Sequence, residues 1–562
     1  MGQYSSSPNF NYGFPTPGPQ SPTGRDVMDH VFFVSKTEWK EIREKKHFDY
    51  IVIGTGFCAL AFTERILQNN PFAKILILER GDFFLPEHFQ DLTGPYKSTL
   101  GGLSETYPWT LSEKTTNGKH IKWQHGMVPF FGGRSTLWSG WCPRPTEEEM
   151  INWPKEVINV LQTYFKDAET LLNVIPANQI KSTSNNRPIY ATLQKEIQNL
   201  LNRNLNNVNE LTRAFPAPLA VKTTEENDVD FSKFSTPSKL LELIEKQKLL
   251  FAKNKGAELK IATNCTVSKI LQQDMKATAL ETTRGIVNIG NAKLILAMGT
   301  LPPTTLIANS FPEIKNIGKR FTSHFVTAIV ARIPKKDFKF SSKLSELELG
   351  AFYVAGVNPE LKNKGQFHIQ LTALSDKNPE ENAPVALRNM PDVVATATLE
   401  QLTSSKNHIV FVCACLGEID YNNPNNSFLK HNSNDLTTNS FLNVEANKND
   451  NKVWDSMDKG TFETLEKIIS PKGKTGVEYW DYNKNKWKKS RQLLRIPGLV
   501  HEASTMWIGN DPESPVNLDY RPKGVKNVYI TGASLWPTGA SWNPTMPMVA
   551  FAQHLADNLS KK

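Results

Sequence analysis

Near its N-terminal end the chain contains a strand, a glycine turn and a helix in an order that few folds accommodate. Asp49–Ile53 is a short apolar run typical of a buried strand, and it is followed at once by the glycine-rich segment Gly54–Ala59. A helical pattern continues to about Asn69, and a second buried strand is predicted at Lys74–Leu78. This succession predicts a βαβ unit with parallel strands, and therefore an α/β fold.

The small residues of this unit have the spacing of a dinucleotide-binding turn. Gly54 permits the tight turn, and Gly56 lets a pyrophosphate approach the N-terminus of the helix. Ala59 lets helix and strand pack closely, while Glu79, about 20 residues downstream, can accept a hydrogen bond from a ribose hydroxyl. The unit predicts dinucleotide binding but does not distinguish NAD from FAD.

A second glycine-rich segment favours a flavin. Phe131–Trp141 reads FGGRSTLWSGW, which places small residues where a chain must lie flat against a planar ring. Trp138 and Trp141 are expected to close the site. A nicotinamide enzyme has no obvious use for this segment, so FAD is the predicted cofactor.

The C-terminal region combines another strand end with two candidate reactive side chains. Asn527–Thr531 is predicted as a buried strand that passes through small residues and a Pro/Gly-rich turn into a helix. His501 and Asn543 flank this arrangement and can meet only if separate strand ends lie side by side. We therefore expect the chemistry at this pair.

Composition excludes several other classes of protein. The chain of 562 residues has a net charge of +9, but its Lys and Arg are scattered, so no nucleic acid is expected as a partner. Five cysteines in an odd count without metal-ligand spacing indicate a reducing compartment and no metal site. No apolar stretch reaches the length of a membrane span and no signal peptide is evident, so a cytoplasmic location is predicted. The Met1-Gly2 start with Ser6 also matches an N-myristoylation pattern, which leaves lipid anchoring open.

The rest of the chain predicts two interleaved domains. Alternating strands from Val326 onward predict an antiparallel sheet, and the Asn-rich stretch Asn422–Asn449 predicts an exposed loop or irregular hairpin. The predicted division is a flexible tail (1–30), a first FAD-binding part (47–150), substrate-domain or cap helices (151–214), a second FAD-binding part (215–325), a substrate domain (326–494) and a third FAD-binding part with the catalytic pair (495–562).

These motifs, in this order, resemble those of the glucose-methanol-choline (GMC) oxidoreductases, FAD-dependent enzymes that oxidise alcohols and sugars. The runs STLWS and PGLVH look closest to the pyranose 2-oxidase branch. The resemblance implies an α/β fold with a Rossmann-like FAD-binding domain, of the GMC and p-hydroxybenzoate hydroxylase type, and an α+β substrate domain on an antiparallel sheet.

Several positions depart from the pattern that the resemblance implies. Leu137 stands where pyranose oxidases carry the histidine that binds flavin covalently, which implies non-covalent FAD. Ser139 matches a threonine beside the reactive flavin atoms, and Ser504 replaces a glycine, which is expected to narrow the space above the ring. His324 resembles a family histidine at the domain junction and is expected to be structural, while His368 is a candidate substrate contact.

The resemblance also implies a set of site residues. The predicted catalytic residues are His501, as general base, and Asn543, as donor to the developing alkoxide. The predicted cofactor-binding residues are Gly54, Gly56, Phe57, Ala59, Glu79, Arg80, Gly132, Gly133, Arg134, Ser135, Leu137, Trp138, Ser139, Val267, Ala297, Gly299, Gly532, Ala533, Asn543, Pro544 and Thr545.

The expected reaction moves a hydride from a CH–OH group of a sugar, glycoside or other alcohol to flavin N5, and then passes electrons to oxygen or a quinone. Two alternatives stay open: lyase or decarboxylase chemistry on the same flavoprotein fold, and a non-catalytic binding protein on this scaffold. The substrate, the acceptor and the oligomeric state are not determined by the sequence.

Overall fold

The computed structural model describes residues 23–45, 47–92, 105–106, 109–118, 121–184, 186–222, 232–361, 365–391, 397–430, 437 and 440–561. Its α-helices are α1 (Gly24–Val31), α2 (Lys36–Glu44), α3 (Phe57–Asn69), α4 (Glu113–Asn117), α5 (Lys155–Leu172), α6 (Thr192–Asn204), α7 (Thr236–Ala252), α8 (Leu301–Ser310), α9 (Pro379–Asn389), α10 (Leu399–Thr403), α11 (Lys448–Glu463) and α12 (Thr545–Ser560). A π-helical segment, Thr464–Ile469, continues directly from α11.

The strands form a mixed α/β architecture with these helices. They are β1 (Tyr50–Ile53), β2 (Ile75–Leu78), β3 (Thr110–Leu111), β4 (Trp123–Gln124), β5 (Val174–Pro176), β6 (Thr183–Ser184), β7 (Arg187–Pro188), β8 (Leu211–Pro216), β9 (Pro218–Ala220), β10 (Leu259–Ala262), β11 (Val267–Gln273), β12 (Lys276–Thr282), β13 (Val287–Asn288), β14 (Lys293–Leu296), β15 (Thr322–Pro334), β16 (Leu347–Val357), β17 (Gln366–Asp376), β18 (His408–Glu418), β19 (Ser427–Lys430), β20 (Ser440–Asn443), β21 (Glu478–Asp481), β22 (Lys486–Lys488), β23 (Leu494–Ala503) and β24 (Val528–Ile530).

A five-stranded parallel sheet contains the predicted βαβ unit. Its order is β10-β2-β1-β14-β24, and every neighbouring pair is parallel. The strands β1 and β2 are buried along their whole length, as their continuous apolar runs predict. Helix α3 packs against α12, so the N-terminal unit and the end of the chain share one core.

A second, larger sheet of nine strands is mainly antiparallel. Its main path is β22-β21-β15-β18-β17-β16-β8, and β23 pairs with β15 and with β4. The strands predicted from Val326 onward are confirmed, although β15 begins earlier, at Thr322. One face of the sheet is covered by α6 and α11, and its apolar side chains form a core of their own.

The structure places three segments differently from the predicted division. Residues 24–31 form helix α1 rather than part of a tail, because Thr23 and Asp26 form a capping box that stabilises its first turn; residues 1–22 lie outside the described residues. The strand β8 crosses the predicted boundary between residues 214 and 215 and pairs with β16, and β23 pairs with β15, so both belong to the nine-stranded sheet. The segment that carries His501 therefore extends the large sheet, while β24 completes the parallel sheet.

The Asn-rich stretch is only partly described. The strands β19 and β20 pair in antiparallel fashion, which is the irregular hairpin that the sequence predicts, and residues 431–436, 438 and 439 between them lie outside the described residues. All five cysteines are buried and form no disulfide bond. Within the described ranges, the structure has no helix with both the length and the apolar character to cross a bilayer.

Candidate active site

A cavity of about 580 Å³ lies between the two sheets. One wall is formed by the carboxyl ends of the parallel strands, where Ile53, Leu78 and Ala297 line it. The opposite wall includes Val326 of β15 and Gln370 of β17, from the nine-stranded sheet. Clefts beyond the carboxyl ends of parallel strands are the usual ligand sites of α/β sheets.

Most of the predicted site residues line this one cavity, although they come from distant parts of the chain. Those that line it are Gly54, Gly56, Phe57, Glu79, Arg80, Gly133, Arg134, Leu137, Trp138, Ser139, Val267, Ala297, Gly299, His501, Ala533, Asn543, Pro544 and Thr545. Those that are not among its lining residues are Ala59, Gly132, Ser135, His368 and Gly532.

The glycine turn after β1 leaves no room for a side chain at Gly54. Gly54 has a φ of +103°, and a Cβ there would lie 2.6 Å from the backbone oxygen of Ala297. Gly56 caps the N-terminus of α3 without a side chain and has nothing closer than 4.0 Å to an added Cβ. The turn therefore brings the backbone N–H groups of the helix to the cavity wall.

Glu79 stands at the end of β2 in a fixed position. Its carboxylate accepts a hydrogen bond from the Thr55 hydroxyl at 2.5 Å and from the Gly81 N–H at 2.9 Å. Thr55 in turn accepts from the N–H of Gly132 at 2.8 Å, which ties the first glycine turn to the second. Burial raises the pKa of Glu79 to about 7, because desolvation outweighs these hydrogen bonds.

The second glycine-rich segment folds into a 3₁₀ turn, Gly133–Thr136. Gly132 has a φ of +91°, and a Cβ at that position would lie 2.6 Å from the ring of Pro237. Ser135 turns inward, where its hydroxyl donates to the Gly132 carbonyl at 2.7 Å and lies 2.9 Å from the Thr236 hydroxyl. Leu137 to Ser139, which follow the turn, line the cavity, as do Gly133 and Arg134 within it.

Two hydrogen-bond contacts and a ring contact fix the orientation of Trp138. Its indole N–H donates to the Phe234 carbonyl at 2.7 Å, and its own carbonyl lies 2.7 Å from Nε2 of His88. The ring also packs edge-on against Phe57, with centroids 4.7 Å apart. Trp138 is therefore a rigid part of the wall rather than a swinging side chain.

His501 lies near the end of β23 in a strained backbone conformation, with a φ of +62°. It is partly exposed and lines the cavity. Its Nδ1 atom lies 3.0 Å from Nδ1 of His324, a fully buried residue on the neighbouring strand β15. Positive φ at a non-glycine residue costs about 1–3 kcal/mol and persists only where surrounding contacts impose it.

The contacts of His324 determine which nitrogen of each ring carries hydrogen. Nε2 of His324 faces two carbonyl oxygens, of Ala540 at 2.7 Å and Gly539 at 3.4 Å, and carbonyls only accept, so this nitrogen is protonated. Burial lowers the pKa of His324 to about 4, so the ring is neutral and its Nδ1 is an acceptor. His501 must then donate from Nδ1, which leaves its Nε2 free of hydrogen.

The charge state of His501 follows from the same surroundings. Desolvation lowers the pKa of His501 well below 6.5, and repulsion from His324, His368 and neighbouring cationic groups adds to the effect. The imidazole is therefore neutral at neutral pH. A neutral imidazole with a bare Nε2 can accept a proton.

Asn543 precedes helix α12, and its amide is oriented by one contact. Nε2 of Gln370 donates to the Asn543 Oδ1 atom at 3.1 Å. Because the oxygen is engaged in this way, the amide nitrogen is the group of Asn543 that can donate into the cavity. The same Gln370 nitrogen lies 3.2 Å from Nε2 of His368.

His368 is placed differently from its prediction as a substrate contact. It is fully buried, and its ring stacks on Tyr353 with centroids 4.7 Å apart at 16°. Strand alternation points it to the cavity side of the sheet, but Gln370 covers its Nε2 atom. His368 supports Gln370 and does not reach the cavity.

Ser504 also differs from its expected position. It has a φ of +66°, is fully buried, and is not among the residues lining the cavity. Its hydroxyl finds no hydrogen-bond partner among the described residues. Ser504 is therefore not placed to narrow the cavity.

Helix α12 begins at the cavity. Pro544 and Thr545, at its N-terminus, both line the cavity. The unpaired N–H groups and the dipole of a helix N-terminus favour a partial or full negative charge. Together with the N-terminus of α3, two helix ends are directed at the same space.

Comparison with known proteins bears on the C-terminal part of this arrangement. A family model described as GMC oxidoreductase matches residues 422–552, which include both His501 and Asn543. No curated protein matches the chain. The match supports the GMC oxidoreductase family. In general terms it supports a flavin-dependent oxidoreductase, and it does not separate the pyranose 2-oxidase-like branch from others.

The sequence alone did not identify three side chains that support His501 and Asn543. His324 was expected to be structural, yet it contacts His501 directly, and Gln370 and Tyr353 carried no recognisable motif. The alternation of β15 and β17 gives the only signal that could have found them. His324 and His368 both fall on the face of the sheet that carries Val326. Which residues share this face can be stated only when the register of the paired strands is known.

Proposed function

We propose that this protein is a FAD-dependent oxidoreductase that oxidises a CH–OH group, with His501 as the general base. The observation that carries the proposal is a single cavity with Glu79 and two glycine turns in its wall and with His501 and Asn543 lining it as well. The sequence resemblance and the family match over residues 422–552 support the same class.

The residues present fit a FAD molecule bound without a covalent link. Glu79 supplies a fixed carboxylate for a ribose hydroxyl, and the turn at Gly54 offers backbone N–H groups to a pyrophosphate. Val267 lines the cavity, where we propose that its backbone faces the adenine, and Leu137 offers no atom for a covalent bond. We therefore assign the parallel sheet as a Rossmann-like FAD-binding domain and the nine-stranded sheet as the base of the substrate domain. When bound, FAD supplies a ring nitrogen that accepts a hydride.

His501 removes the proton of the substrate hydroxyl. A neutral alcohol is a poor hydride donor, so the O–H bond must break as the C–H bond releases its electron pair and a carbonyl forms. The bare Nε2 of His501 accepts this proton, and the hydrogen bond from its Nδ1 to His324 holds the ring in that tautomer. The low pKa of His501 keeps the base unprotonated down to mildly acidic pH.

Asn543 stabilises the oxygen as it gains negative charge. Gln370 holds the carbonyl oxygen of the Asn543 amide, so the amide N–H is already oriented when the alkoxide develops. A preorganised donor of this kind contributes mainly in the transition state. His501 and Asn543 therefore act on the same substrate oxygen, one by taking its proton and the other by donating to it.

The decisive experiment is anaerobic mixing of the purified yellow protein with sugars, glycosides and alcohols. Bleaching of the flavin band by one of these compounds, followed by recovery with oxygen or a quinone, is the expected result and identifies the electron acceptor. A protein without flavin would leave a binding protein on this scaffold. A flavin that turns over substrate without bleaching would indicate lyase or decarboxylase chemistry.

A further inference from the structure

The wall of the cavity beside the catalytic pair is aliphatic. Five apolar side chains from three strands of the nine-stranded sheet form one cluster, and all of them line the cavity. We call this cluster the aliphatic patch; its members are Val326, Ala414, Leu416, Ile496 and Val500.

Strand register makes the patch continuous. Val326 of β15 lies opposite Leu416 of β18 on one side and Ile496 of β23 on the other. Val500 immediately precedes His501, and Ala414 lies opposite Gln370, which holds Asn543. The aliphatic patch therefore adjoins His501 directly and Asn543 through Gln370.

Three polar side chains that line the cavity, those of His125, Arg134 and Glu502, contact other polar groups. Glu105 binds Nδ1 of His125 at 2.7 Å and the guanidinium of Arg134 at 3.0 Å. Glu502 accepts a hydrogen bond from Gln124 at 3.3 Å. These contacts occupy part of the hydrogen-bonding capacity of the three side chains.

Such a wall discriminates between kinds of alcohol. A sugar carries a hydroxyl on nearly every carbon, and each hydroxyl that is buried against an aliphatic surface loses its hydrogen bonds to water. A hydrocarbon body gains from leaving water for the same surface. Trp123, which also lines the cavity and exposes 37% of its surface, adds a further apolar group.

We propose that the substrate is an apolar alcohol, with a hydrocarbon body on the aliphatic patch and its CH–OH group at His501 and Asn543. The identity of the reacting end rests on the function proposed above. The apolar character of the body rests on the aliphatic patch and on Trp123.

Tertiary alcohols test the patch separately from catalysis. A 2-methyl-2-alkanol has no hydrogen on its carbinol carbon, so it can bind but cannot transfer a hydride. Titration calorimetry on the FAD-loaded protein with the series from 2-methyl-2-butanol to 2-methyl-2-octanol should show Kd falling by about fourfold for each added methylene. Methyl glucoside, as the sugar probe, should bind more weakly than the longer members.

Two substitutions on one strand provide the matched comparison. Ile496 lines the cavity, whereas Leu494, two residues earlier on β23, is 40% exposed and does not. Ile496→Thr should weaken binding of 2-methyl-2-octanol by at least about fourfold, the equivalent of one buried methylene, and Leu494→Thr should leave it unchanged.

Three results would overturn the proposal: a Kd that does not change with chain length, tighter binding of methyl glucoside, or equal effects of the two substitutions. Primary alkanols tested in the anaerobic assay keep the two proposals distinguishable. Tertiary alcohols that bind as expected, with no alcohol able to reduce the flavin, would refute the proposed function and leave the apolar site standing. Rapid reduction by sugars alone would do the reverse.

Discussion

Replacing His324 tests whether this residue fixes the tautomer of His501, the proposed catalytic base. In His324→Leu the acceptor for Nδ1–H of His501 is lost, while an apolar side chain of similar size fills the space. In His324→Asn an amide oxygen can occupy roughly the place of the lost Nδ1 and accept the same hydrogen bond. The pair therefore separates loss of the acceptor from loss of the imidazole.

The expected magnitude follows from the contact of the His501 Nδ1 atom with the fully buried His324. Leaving a buried donor without a partner costs about 1–3 kcal/mol, and His501 can avoid this cost by moving its hydrogen to Nε2. That tautomer cannot accept the substrate proton. The productive tautomer becomes rarer by the same free energy, so flavin reduction in His324→Leu should slow by about fivefold to 150-fold. His324→Asn should recover most of the rate.

Anaerobic stopped-flow reduction of the bound flavin measures this rate directly. Flavin content and the midpoint of thermal unfolding, measured on the same samples, report whether either variant is merely misfolded. Steady-state kinetics provide an independent readout. The mixed tautomer in His324→Leu should lower kcat more than it changes KM, and this should hold at every pH. The tautomer argument would be refuted if His324→Leu reduced its flavin at the wild-type rate. It would also be refuted if both variants lost the same factor in this rate while keeping their flavin content.

The other predictions concern the residues at the two ends of the cavity and the strained turn. His501→Ala should retain FAD yet reduce it slower by roughly two to four orders of magnitude, and the wild-type rate should decline only below pH 6.5, where the base with its lowered pKa becomes protonated. Asn543→Ala should lose a smaller factor in the same stopped-flow assay, because it removes a donor but leaves the base. Glu79→Ala should weaken FAD binding, measured by titration of the apoprotein, without a comparable loss in the rate of the reconstituted enzyme. Ser504→Gly should raise the free energy of unfolding by about 1 kcal/mol in urea titrations, with Ser504→Ala giving only the part due to the unpaired hydroxyl.

The elements that could be predicted from the local sequence are those whose conformation is limited by residues close to them in the chain. The turn at Gly54 and the strand that ends at Glu79 were readable because steric limits and buried apolar runs leave few alternatives. The turn at Gly132 was readable for the same reason. In these cases the sequence carries the constraint within a few residues.

The parts that escaped prediction depend on which strands pair. The segment with His501 was assigned to the FAD-binding part, but the hydrogen bonds of its strand β23 go to β15. His324 and Gln370 became visible as supporting residues only through that pairing. Register between distant strands is set by whole-sheet packing, which a single sequence does not display.

The backbone around His501 and Ala540 is strained, so contacts from neighbouring segments must hold it in this conformation. His501, Ser504 and Ala540 have φ values of +62°, +66° and +46°, a conformation that disfavours any residue with a Cβ. The carbonyl of Ala540 accepts from His324, and its N–H donates to the carboxylate of Glu418 at 3.0 Å, so both strained segments are fastened to the buried edge of β15 and β18. Replacing His324 would remove the hydrogen bond to the Ala540 carbonyl but not the one from the Ala540 N–H to Glu418. The residue that sets the tautomer of the base is thus also the one that joins the strand carrying His501 to the loop leading to Asn543.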